Sequence, residues 1–340
     1  MAATTTTLIT PNVSGYYDRR LLDRLVPNFV HLGYGDEKPV PKNQGTTITF
    51  RRYTNLSAAT TALTEGVTPG DTALAKTDVT ATLAQYGAYV TITDWLDMTG
   101  LDKTAIEAVD LLADQAGDTH DQLCRDVIVA GTQVWYSGAS AARTVVDDKI
   151  KIEGVRYAQN ILESGSVKPI KEKITGGTNY GSKPVDPGYI GIAHTDARAD
   201  IEGLSGFIAV RDYAQPGKAL PGEIGAVGMV RFILTPNAKA IAATGTTALV
   251  TGMKTELTGG TYADVYMTVI FGQGAYGNSR IGPAAVKSIV KSFGSAGTED
   301  PLEQRSTVGW KSNFVCKLIG DARIARLEHA CTDTTAGFTT

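Results

Sequence analysis

Leu101-Asp-Lys-Thr-Ala-Ile-Glu-Ala-Val-Asp-Leu-Leu-Ala-Asp-Gln-Ala-Gly-Asp-Thr-His-Asp-Gln-Leu-Cys-Arg-Asp-Val-Ile-Val-Ala-Gly131 decides how the rest of the chain is read. Its apolar residues fall at Ala105, Ile106, Val109, Leu112, Ala113, Ala116, Leu123, Val127 and Ile128. That is the spacing of one helix face, with acidic residues opposite. Asp102 is placed to cap the start and Gly131 to end the helix. At 1.5 Å per residue the helix would be roughly 40 Å long, whereas helices average about 11 or 12 residues. Such a stripe needs a partner along its whole length. The spacing predicts a long core helix or a strut, and the flanking segments favour the strut.

Just upstream, Thr46-Thr-Ile-Thr-Phe-Arg-Arg-Tyr53 reads as a strand from its β-branched and aromatic content. Asp78 to Leu83 alternates in the same way, and Tyr89 to Thr93 continues as strand towards Trp95. Between them, Asn55 to Lys76 is nearly all Ala, Thr, Leu and Gly, with Glu65, Asp71 and Lys76 its only charges. A structureless stretch of about twenty residues is unusual in a compact domain. It is either a lid or a projecting hairpin that a neighbour orders. Further back, residues 1–45 read as an arm, with a short helix over Tyr16 to Val26 followed by Pro27, Pro39 and Pro41.

Downstream, Lys149 to Leu162 reads as a second helix. Gly188 to Ala193, Met229 to Leu234 and Val265 to Phe271 read as strands, and His194 to Ile201 as a helix start. Ala285 to Leu327 is mostly strand around one long turn, and Thr332 to Thr340 a loose tail. Helices and strands are mixed without a βαβ repeat, so the fold class is α+β.

The chain has 340 residues, a net charge of −3 and 20% charged residues. A dedicated nucleic-acid binder would be basic. Three scattered cysteines, Cys124, Cys316 and Cys331, do not make a disulfide framework. No secretory signal or membrane span is read, so a reducing cytoplasm is expected, with no membrane partner.

The chemical motifs fail one by one. Gly272-Gln-Gly-Ala-Tyr-Gly277 matches a dinucleotide fingerprint after a strand, but Asn278 to Pro283 is no helix start. A glycine-rich turn is the reading kept. His120 and Cys124 share a helix face at i and i+4 with no further ligand nearby. His194 and Asp196 fit a helix cap better than acid–base work. No catalytic, cofactor-binding or metal-binding residues are assigned, and no enzyme is expected.

The order of arm, hairpin, long helix, mixed region and returning strands resembles the major capsid proteins of tailed phages with the Hong Kong 97-type fold. More closely, the chain resembles the N4-like phage group. Residues 45–53, Leu63-Thr-Glu-Gly-Val-Thr-Pro69, residues 222–232, Asp300-Pro-Leu-Glu-Gln-Arg305 and Val308-Gly-Trp-Lys311 carry the resemblance. It implies an N-arm (1–45), an E-loop hairpin (46–95) and a P-domain (96–145 and 284–332) with its spine helix over 102–130. An A-domain (146–283) and a C-terminal tail (333–340) complete it. It implies hexamers and pentamers in an icosahedral shell around double-stranded DNA, in a virion made in the bacterial cytoplasm. A separate scaffolding protein, a portal and a decoration protein are the implied partners, and contact with DNA would be non-specific. Glu65, Arg51, Arg52 and Lys76 are the candidate intersubunit contacts. An encapsulin-like compartment shell and an enzyme with a lid are the rival readings.

Overall fold

The structure, a computed structural model, describes residues 30–99, 104–138, 141–174, 183–246, 252–255, 262–281, 286–295 and 299–333. The helix expected over 16–26, the Asp102 cap and residues 334–340 lie outside them, as do the side chains of Ala105, Ile106 and Val109. In chain order the elements are β1 (Asp36–Glu37), β2 (Thr47–Tyr53), β3 (Lys76–Thr82), β4 (Ala84–Thr93), α1 (Asp94–Thr99), α2 (Thr104–Val129) and β5 (Val134–Tyr136). Then follow α3 (Ile152–Ser164), β6 (Tyr189–His194), α4 (Arg198–Glu202), β7 (Phe207–Ala209), β8 (Glu223–Val227), β9 (Val230–Thr235) and β10 (Ala240–Ile241). The last are β11 (Val265–Phe271), β12 (Tyr276–Arg280), β13 (Val286–Lys291), β14 (Arg305–Leu318) and β15 (Ile324–His329).

Among the described residues these strands make three sheets. The eight-stranded one runs β5-β15-β11-β6-β9-β8-β7, with β10 beside β11. Its central strands β6, β9 and β11 are buried on both faces, and apart from Arg231, Thr235, Thr268 and His194 they are apolar or glycine. Val155, Ala158 and Leu162 of α3 pack on one face, against Tyr266, Ile270 and Leu327. Cys124 and Ile128 of α2 pack on the other, against Ile192, Val269 and Phe271. The five-stranded sheet is built around β14, with β4 along one edge and β13 and β12 along the other. The third sheet is the ribbon of β2 and β3.

The helix α2 joins the two large sheets. Among its described side chains, Ala108, Leu112, Ala116, His120, Asp121, Cys124 and Ile128 are buried. Four helical residues advance about 6 Å and two strand residues about 6.6 Å, so the helix and β14 stay in step. Leu112 and Ala116 meet Val308 and Trp310, Gln115 accepts from the Trp310 indole at 3.2 Å, and His120 Nε2 lies 2.7 Å from Ser312 Oγ. Cys124 meets Cys316, and that thiol contact and burial push the Cys124 thiol up. All three cysteines are free. The apolar stripe expected from the sequence differs in two ways. Ala113 is exposed, with Leu123 and Val127 half-buried, while the polar His120 and Asp121 are inside.

Two strands pair away from the segments next to them in sequence. Residues 84–93 leave the ribbon and pair with β14 from Arg305 to Phe314. The final strand β15 leaves the five-stranded sheet and inserts between β11 and β5. In both cases an apolar face finds its burial against a partner far away in sequence.

Candidate intersubunit surface

The ribbon pairs in strict register from Thr47 opposite Thr82 to Tyr53 opposite Lys76. At its base Phe50 is buried, and a Cβ on Gly277 would meet the Phe50 ring at 2.6 Å. The ribbon is thereby fastened to β12. At its far end every residue from Tyr53 to Asp78 is exposed. The segment 55–75 forms neither helix nor strand, and Leu56, Leu63, Val67 and Leu74 stand open to solvent. A hydrogen bond from Val67 N to Thr64 O, with Gly66 at φ 77°, makes the turn that carries Glu65.

The four candidate contact residues separate. Arg51 donates to both oxygens of Asp78, at 2.8 and 3.2 Å, and Lys76 Nζ lies 3.5 Å from the same carboxylate. The hydrogen bond from Arg51 holds the Asp78 carboxyl below the usual carboxylate range. Arg51 and Lys76 are therefore engaged along the ribbon. Arg52 turns to the base, where its Nη1 would lie 3.2 Å from a Cβ at Gly320. Glu65 makes no ion pair among the described residues and is presented at the loop turn.

The other singled-out residues have structural partners. The His120 ring lies between Trp310 and Phe314, at centroid distances of 6.0 and 4.7 Å, and burial lowers its pKa. His194 Nδ1 accepts from the backbone N–H of Asp196, which starts a short 3-10 turn ahead of α4. Burial works to raise the Asp196 pKa. It is outweighed by the Tyr266 hydroxyl at 2.9 Å, the His194 ring and Lys254 Nζ at 3.1 Å, so the carboxyl is held low. This cluster secures Met253–Lys254, which bridges to Thr332. The Gly272–Gly277 motif links β11 in one sheet to β12 in the other, strand to strand. Among the described residues no group of three or more His, Cys, Asp or Glu is placed to hold a metal ion. No helix among them is long and apolar enough to cross a membrane.

A buried contact went unread in the sequence. His31 sits against Asp121 of α2, and the Tyr276 hydroxyl donates to the His31 carbonyl at 2.5 Å. The segment leading into β1 is thus tied to the helix and to β12. No local pattern announces a pairing across 90 residues.

The sequence matches no family model and no curated protein. The fold is similar to the capsid of Ralstonia phage GP4, with TM-score 0.69 and 11% identity over 98% of this chain and 99% of that one. It is similar to the head structure of Helicobacter pylori bacteriophage KHP40, with TM-score 0.59 and 14% identity over 97% and 98%. The cyanophage Pam1 capsid asymmetric unit gives TM-score 0.58 and 13% identity over 86% and 87%. At these identities the likeness is one of fold: the chain has the mixed α/β architecture of these phage capsid structures.

Proposed function

We propose that this chain is the major capsid protein of a tailed phage of the N4-like group, with the Hong Kong 97-type fold. The observation that carries the reading is the match to a capsid structure over nearly the whole of both chains. The fully exposed loop 55–75 supports it, because a segment with so little burial of its own gains order from neighbours. In this reading residues 1–45 are the N-arm and the ribbon is the E-loop. The α2 helix with the five-stranded sheet is the P-domain, and the eight-stranded sheet with α3 is the A-domain, β15 included. Copies assemble as hexamers and pentamers into a shell around double-stranded DNA, and many weak contacts sum through multivalency. A separate scaffolding protein, a portal and a decoration protein are the further partners. The subunit does no chemistry and is part of the virion. Glu65 at the loop turn meets a basic group of the adjacent copy.

Expression with and without the neighbouring phage genes, followed by sedimentation and electron microscopy, tests this. Closed shells or capsomers are expected. A stable monomer at high concentration under every condition would overturn the reading.

A further inference from the structure

The strand Val286-Lys-Ser-Ile-Val-Lys291 alternates, and its register with β14 and β4 fixes which side chains share a face. Val308 and Trp310 face α2. The opposite face therefore carries Lys287, Ile289 and Lys291, then Gly309 and Lys311, then Gly87 and Tyr89. The two glycines leave a depression along this face, a trough of about 440 Å³. The space is required by the strands themselves. A Cβ on Gly309 would sit 2.8 Å from Tyr89 Cβ, and one on Gly87 2.7 Å from the Trp310 carbonyl oxygen. Lys287, Lys291 and Lys311 are exposed around it, and among the described residues no carboxylate pairs with them.

The end of the same sheet has the opposite character. Asp94 N bonds to Gln304 O at 3.0 Å, and Leu96 is buried with Ile92 and Ala108. This pins α1 so that Trp95 and Met98, one turn apart, point outward at 64% and 71% exposure, and on the β13–β14 connection, whose Gln304 carbonyl holds Asp94, Leu302 is 75% exposed. Asp97 on α1 and Glu299 and Glu303 on that connection are exposed, and none pairs with a cation among the described residues.

We propose that this acidic, aromatic tip of one copy docks in the lysine-rimmed trough of a second copy. The inference rests on the capsid reading and names a contact within it. Three carboxylates meet three lysines, and a trough of about 440 Å³ has the volume to take the Trp95 ring. An aromatic anchor within a rim of opposite charges is the usual anatomy of a specific contact. Tip and trough are different patches, so the contact is head-to-tail, the kind that builds a ring such as a hexamer or pentamer when its rotation closes.

Carbodiimide cross-linking of wild-type shells grown from mixed ¹⁴N and ¹⁵N protein tests it directly. Intermolecular links from Lys287, Lys291 or Lys311 to Asp97, Glu299 or Glu303 are expected. Shells whose links run from these lysines to Glu65 or Asp71 instead would overturn the contact, since the ribbon loop would then fill the trough. Reversal of the lysines (Lys287→Glu, Lys291→Glu, Lys311→Glu) should lower shell yield about tenfold or more. Combining it with Asp97→Lys, Glu299→Lys and Glu303→Lys should restore the yield. A lysine reversal that assembles like wild type would refute the contact while leaving the capsid reading intact. Wild-type protein that never assembles would instead remove the reading on which it rests.

Discussion

Asp121 accepts two hydrogen bonds from His31, one from the ring Nδ1 and one from the backbone N–H, each at 2.8 Å. The backbone N–H of Leu32 adds a third at 3.2 Å. The carboxylate is fully buried on α2. A buried carboxylate is tolerated only where donors replace water, and here an otherwise irregular segment supplies all three. The bond network fixes the chain just before β1 to the C-terminal third of the long helix.

Asp121→Ala should therefore be among the most damaging single changes in this chain. It removes one partner of a buried pair and strands two backbone donors, at an expected cost of about 3–5 kcal/mol. Asp121→Asn keeps an acceptor and should cost less. Denaturant unfolding of the two variants checks the order, and an alanine variant within about 0.5 kcal/mol of wild type would contradict it.

On the same helix, Leu112 is buried against Val308 and Trp310, while its neighbour Leu111 is exposed. Leu112→Ala should cost about 2–5 kcal/mol. Leu111→Ala should stay within about 0.5 kcal/mol. Leu112→Asp buries an unpaired charge and should give insoluble protein with no particles. Equal unfolding midpoints for the two alanine variants would mean that the helix is rotated from the described packing.

Acidification should weaken the fold, beginning near pH 6.5. Burial lowers the pKa of His120, His194 and His329. A histidine whose folded pKa is depressed binds its proton more readily when unfolded. Its contribution is complete above the unfolded value of about 6.5 and is lost as pH falls below it. The depressed carboxyls of Asp126 and Asp196 act in the same direction at lower pH. Their contribution is present above the unfolded carboxylate pKa and lost as pH falls through the folded one. His329 is fully buried, with Nε2 2.8 Å from Thr268 Oγ1, so His329→Gln should flatten the dependence of the unfolding midpoint between about pH 5 and 7. An unchanged slope in that variant would rule His329 out as a source.

The loop 55–75 should be cut by protease in free subunits and far more slowly in particles, because exposed loop tips are favoured sites of nicking. Deleting residues 57–74 should leave β2 and β3 paired, since their register and the Phe50 anchor lie outside the deletion. That subunit should fold but fail to close stable shells. Cleavage at equal rates in both states would remove the loop from the assembly contacts.

The sequence by itself determined the elements whose signals are local. The helix α2 follows from a 3.6-residue apolar period, the ribbon from alternation in Thr46–Tyr53 and Asp78–Leu83, and β6, β9 and β11 from short, mostly apolar runs. The exposed loop followed from its lack of sizeable apolar side chains. Only the tertiary structure decided which of these elements share a sheet. Nothing local in residues 84–93 says that they pair with Arg305–Phe314, or in Ile324–His329 that they enter the eight-stranded sheet. The same holds for the sites. Asp121 reads as part of an acidic, solvated helix face until His31 covers it, and Arg51, a candidate intersubunit contact in the sequence, is paired with Asp78 across the ribbon. Lys287, Lys291 and Lys311 become one patch only when strand register aligns them. Periodicity is set within a few residues, whereas burial and charge pairing depend on partners that the chain brings together only on folding.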